Sequence, residues 1–114
     1  MPGARGEATI QAGEQEVHIL FTNRALAEVE TQLKRSIIAV AQGFADGTAG
    51  VTEIVHLLRV GMEAAQRDAR AGGRVTLSDA FEVLDEAGFT AVTVAVMEAV
   101  SAVLSFGTEQ VPNA

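Results

Sequence analysis

The chain of 114 residues has no Cys, no Trp, no Tyr and only two Pro. Without Cys there is no disulfide framework and no thiolate metal site, so no oxidising compartment is needed and the cytoplasm is the default location. The opening MPGARGEATI lacks the apolar core of a secretion signal. The most apolar run, TAVTVAVMEAVSAVLSF at 90–106, has seventeen residues with Glu98 near its middle, short of the ~20 that span a bilayer. No membrane partner is expected. Positive charge is missing from one end: residues 75–114 carry Asp79, Glu82, Asp85, Glu86, Glu98 and Glu109 and no base, which accounts for most of the net charge of −7. Such a surface repels nucleic acid, whose binding depends on Lys and Arg meeting phosphates, and suits a neutral or basic protein. Solubility alone is the other reading of that charge.

What is present fits one domain over 1–114, of α+β class and mainly α: an N-terminal β-hairpin followed by about four helices in a small bundle. Apolar residues make up 48% of the chain and charged residues 20%, a balance that supports a packed core. Residues 1–6 and 107–114 read as loosely ordered tails, 7–22 as the hairpin and 23–106 as helical. A two-residue Gly13-Glu14 turn pairs Ala12 with Gln15, Ile10 with Val17 and Ala8 with Ile19. Ala8, Ile10, Val17, Ile19 and Phe21 then share one face, with Thr9, Gln11, Glu16 and His18 on the other.

Asn23 is a candidate cap for a first helix in which Leu26, Val29, Leu33, Ile37 and Val40 form one stripe, closing near Gly43. Thr48 or Gly50 opens a second, with Val51, Ile54, Val55, Leu58, Met62 and Ala65 inward. His56 falls with Thr52, Arg59 and Glu63 on its solvent face. After the break at 71–74, Thr76 and Asp79 make a box-like start to a third helix with Leu77, Phe81 and Leu84 inward, ending at Gly88. Residues 90–106 alternate β-branched Val92, Val94 and Val96, yet their length, Ala content and the stripe of Glu98, Ser101 and Ser105 favour a helix. Its polar stripe is narrow, so it needs cover on several sides, more than a hairpin and three short helices are expected to give.

Little points to chemistry. His18 and His56 read as ordinary surface histidines, and two distant His do not make a zinc site. Asp79, Glu82, Asp85 and Glu86 could suggest a metal or a glycosidase-type carboxylate pair, but their spacing favours a solvated helix face. There is no Walker loop, dinucleotide fingerprint or nucleophile elbow. The expectation is a protein that is not an enzyme, with no catalytic residue, cofactor or metal.

Three stretches carry a family likeness. FTNRALAEVETQLKRSI, VTEIVHLLRVGMEAA with Leu57, Leu58 and Gly61, and RVTLSDAFEVLDEAG resemble the tail assembly chaperones of prophages and gene transfer agents, over about residues 17–88. Lys34 departs from the pattern, standing where the family usually has Gly after Leu. The resemblance implies a non-enzymatic factor that coats a tape measure protein, helps recruit tail tube subunits and leaves before the particle is finished. Alternatives are a minor tail component retained in the particle and a small helical regulatory adaptor. On the chaperone reading, Val92, Val94, Val96, Val100, Val103 and Leu104 form the apolar contact, with self-association through the same helix or the hairpin edge. Asp79, Glu82, Asp85 and Glu86 supply the charged rim.

Overall fold

Gly13, at φ 63°, turns the chain between β1 (Glu7–Ala12) and β2 (Gln15–Leu20). A positive φ at the first turn position followed by an ordinary residue is the Gly-X form of two-residue turn. The strands pair antiparallel in the expected register, Ala12 with Gln15, Ile10 with Val17 and Ala8 with Ile19. Ile10, Ile19 and Phe21 are buried while Thr9, Gln11, Glu16 and His18 stand in solvent. A computed structural model describes residues 6–109, with side chains through 105.

Five helices follow: α1 (Asn23–Leu33), α2 (Ile37–Asp46), α3 (Val51–Ala69), α4 (Leu77–Ala87) and α5 (Phe89–Glu109). The fold is mainly α with an N-terminal hairpin. The single first helix expected over residues 23–43 is in fact α1 and α2. Thr22 caps α1, its hydroxyl accepting the Ala25 N–H at 3.1 Å. Lys34 ends it in the left-handed region at φ 57°, donating its N–H to the Glu30 carbonyl. The Glu30 carboxylate then accepts the Ile37 N–H at 2.8 Å and the Ser36 hydroxyl that of Ala39 at 3.0 Å. Two of the orphan amides of α2, those of Ile37 and Ala39, are thus satisfied by side chains that precede the helix. The apolar stripe continues across it, which is why the sequence reads as one helix.

Gly50 precedes α3 with its N–H donated to Glu53 Oε1 at 2.7 Å, and Arg70 closes the helix at φ 55°. Thr76 and Asp79 form the reciprocal box that starts α4: the Thr76 hydroxyl accepts the Asp79 N–H, and the Asp79 carboxylate accepts that of Thr76, both at 3.0 Å. The inner face of α4 is Ala80, Val83 and Leu84, not the expected Leu77, Phe81 and Leu84; Leu77 is 38% and Phe81 41% exposed. Small Ala80, fully buried, lets the helix approach its neighbours closely, and that rotation leaves the two larger side chains at the margin. Gly88, at φ 95°, separates α4 from α5.

α3 is the centre of the assembly. It packs against β2, α1, α4 and α5, with Ile54, Val55, Leu57, Leu58 and Val60 at 1% exposure or less. Gly61 sets its distance from the hairpin: a Cβ there would lie 2.8 Å from the Phe21 ring and 3.1 Å from Ile19 Cβ. On the far side, Gly6 (φ 81°) passes its carbonyl to the Phe21 N–H at 2.7 Å and has no room for a Cβ, which would collide with the Phe21 carbonyl and come within 2.6 Å of Val103 Cγ2. Phe21 is therefore clamped between two glycines. Of the residues expected as tails, Gly6 lies against Phe21 and α5 extends to Glu109; 1–5 and 110–114 lie outside the described residues.

α5 packs on β1, β2, α3 and α4. Val92, Val96, Ala99 and Val100 are fully buried by these elements. The cover expected to come from elsewhere is, for these residues, supplied by the chain itself.

Gly61→Ala is expected to lower stability by about 1 kcal/mol, because overpacking outweighs the usual helix gain of replacing Gly; chemical denaturation checks the sign. Lys34→Gly should stabilise by about 0.5–1 kcal/mol, since Gly adopts the left-handed conformation without the Cβ penalty; a raised midpoint with unchanged slope is the expected outcome.

Candidate protein-binding surface

The residues proposed from sequence fall into separate environments. Val92, Val96 and Val100 are core residues with no exposure, so they cannot form a contact surface while the domain is folded. Val94 lies on the opposite side of α5, 56% exposed, in the solvent stripe of Glu98, Ser101 and Ser105. Val103 and Leu104 are half-buried against the core.

The four acids of α4 remain solvated and are also divided. Asp79 and Glu82 line a cleft between α4 and β2. Glu86 reaches the hairpin turn, its Oε1 2.7 Å from where a Gly13 Cβ would stand. Asp85 is exposed. None of the four makes an ion pair; among the described residues such pairs join the hairpin pair His18–Glu16 or groups on α1, α3 and the α1–α2 junction. α4 and the start of α5 also carry exposed apolar side chains, Leu77, Phe81, Phe89 (40%) and Val94, and Asp85 lies one turn from Phe81. Leu77 and Phe81 are one turn apart on the same side of α4.

The polar side of α3 differs from the expected solvent face. Arg59, its side chain only 13% exposed, reaches Glu28 of α1 at 3.0 Å and Glu63 at 3.1 Å, and also donates to the Val75 carbonyl at 3.3 Å. Glu63 Oε1 in turn accepts the Val75 N–H at 3.0 Å. One guanidinium and two carboxylates, Glu28 and Glu63, thereby fasten α1, α3 and the segment leading into α4, using the planar fork that Lys lacks. The signal was present as an i,i+4 Arg-Glu pair, but its partners lie 31 and 12 positions away in the chain.

His56 is half-buried beside this network, its Nδ1 3.1 Å from Gln32 Oε1. Burial first, and the Arg59 charge second, hold its pKa below the ordinary value of 6.5, opposed by Glu53. Glu53 is lowered chiefly by the Gly50 N–H, and Asp46 chiefly by the Thr48 hydroxyl. His18 lies on the outer hairpin face, 3.5 Å from Thr9 Oγ1. Among the described residues no three His, Asp or Glu side chains group as metal ligands would. No single helix is long and apolar enough to cross a membrane; α4 and α5 have that character only as a pair, bent by 114°.

Comparison with known proteins finds no matching family model, no matching curated protein and no matching solved structure.

A histidine with a depressed folded-state pKa binds its proton more readily when unfolded, so its contribution to stability is present above the unfolded value and is lost as pH falls through the folded one. Thermal midpoints should therefore drop between pH 7.5 and the acid side of 6.5, and His56→Gln should flatten that drop. Glu53 and Asp46 act in the same direction but in a lower window, below about pH 4.5.

Proposed function

We propose that the chain is a non-enzymatic assembly factor that binds another protein, of the tail assembly chaperone kind, with a tape measure protein as its main partner and tail tube subunits as the proteins it helps recruit. It acts in the bacterial cytoplasm while a particle is built. The observation that carries this reading is the exposure of Leu77, Phe81, Phe89 and Val94 on α4 and early α5, with Asp85 one turn from Phe81 and in no ion pair among the described residues. A long helical partner with apolar patches is shielded by apolar side chains, and a charged margin keeps the complex soluble and speeds encounter.

Many of the polar groups are engaged in structure. Glu30, Glu53, Thr76 and Asp79 cap helices, Arg59 and Glu63 join segments, and His56 meets Gln32. That distribution supports a binding role over a catalytic one. The contact residues are then the exposed set above, with Asp85 at its margin, in place of Val92, Val96 and Val100.

Affinity purification of the tagged chain from cells assembling the particle is expected to retain the tape measure protein. Phe81→Asp and Val94→Asp, both at exposed positions, should each weaken capture by about tenfold, the cost of bringing an unpaired charge into an apolar contact, with circular dichroism unchanged. Capture of no particle protein, or capture indifferent to both variants, contradicts the proposal.

A further inference from the structure

The cleft beside β2 has a construction that the α4–α5 surface lacks. In the hairpin, Ala12–Gln15, Ile10–Val17 and Ala8–Ile19 are opposite pairs, and Gly6–Phe21, two positions further on, is joined by a backbone bond. Antiparallel ladders alternate bonded and unbonded pairs, so the backbone N–H and C=O of Glu16 and His18 point away from β1. Neither residue's outward groups meet a backbone or side-chain partner among the described residues. This unpaired stretch of edge forms one wall of a cleft of about 460 Å³, whose other walls are the second half of α3, residues 71–75 and the first half of α4. An open strand edge is a ready template for another strand.

The cleft is chemically two-sided. Inward lie Val17, Met62, Val75 and Val83, an apolar floor continuous with the core. Outward lie the carboxylates of Glu16, Asp79 and Glu82, against two basic side chains, His18, 4.0 Å from Glu16, and Arg74, which makes no ion pair among the described residues. A strand laid against β2 would send alternate side chains to these two sides. We infer that the cleft binds an extended peptide segment of a partner protein in which Lys or Arg alternates with aliphatic residues, added as a third strand to the edge of β2. Main-chain bonds to Glu16 and His18 hold it, aliphatic side chains enter the floor, and the basic ones meet Glu16 and Glu82. This site is distinct from the α4–α5 surface, and it stands whatever particle the chain serves.

The test is an NMR titration of the full chain with the synthetic peptide Lys-Val-Lys-Val-Lys-Val, blocked at both ends. Saturable shifts of the Glu16 and His18 amides are expected. N-methylation of one alternate set of peptide residues should abolish binding while methylation of the other set is tolerated, because only one set faces β2. The protein variant Glu16→Lys with Glu82→Lys, both exposed, should bind about tenfold more weakly, whereas Glu98→Lys on the far stripe of α5 should not. Several results would overturn the inference: equal binding of Glu-Val-Glu-Val-Glu-Val, indifference to both methylation patterns, or no shifts at the β2 amides. So would concentration-dependent shifts of those amides without peptide, which would make a second copy of the chain the occupant.

Discussion

The closeness of α3 to the hairpin governs the rest of the structure. Because Gly61 has no side chain, Phe21 and Ile19 lie directly on the α3 backbone, and the hairpin becomes one wall of the core. A two-stranded hairpin is marginal on its own in water, and α3 surrounded by polar loops would have no partner for Ile54, Leu57 and Leu58. Each makes the other stable. The same contact directs β1 over α5 and allows Gly6 to close on Phe21 and Val103, so that the inner face of α5 is covered by the hairpin, α3 and α4.

That enclosure changes what the chain has left to offer a partner. A helix with Val at 92, 96 and 100 reads as an interface, yet these side chains complete the chain's own core. What the core leaves over includes the margin of α4, the start of α5 and the edge of β2, besides the exposed Ile38 of α2 and Val51 of α3. The margin of α4 and the edge of β2 border the carboxylates of α4, none of which makes an ion pair among the described residues, while Arg35, Arg59 and Arg67 are paired on or near α3. Acidity is thereby concentrated where apolar groups and open backbone are available, an arrangement that favours basic or amphipathic protein segments over nucleic acid.

How far the sequence reveals this depends on the range of the interactions. The hairpin register is legible because a period-two pattern and a Gly-X turn agree locally. So is the Thr76–Asp79 box, whose partners are three residues apart. The break between α1 and α2 is not, because Lys34 adopts a conformation that Gly would have signalled and the apolar stripe runs on past it. The rotation of α4 is hidden for a different reason: burial follows from how near Ala80 lets the helix come, not from side-chain size. Arg59 looks like a solvent-face residue until Glu28 and the Val75 backbone are brought to it, and the cleft exists only once four separate segments converge.

The chain covers the inner face of its longest apolar helix, Val92, Val96, Ala99 and Val100, without a partner. Native-state hydrogen exchange of the isolated protein tests it most directly, through the amides of residues 96–100 in α5. The structure predicts that they exchange only by global unfolding, with the same opening free energy as the α3 amides around Leu57 and Leu58. Exchange of the α5 amides at a markedly lower opening free energy than those of α3 would contradict it.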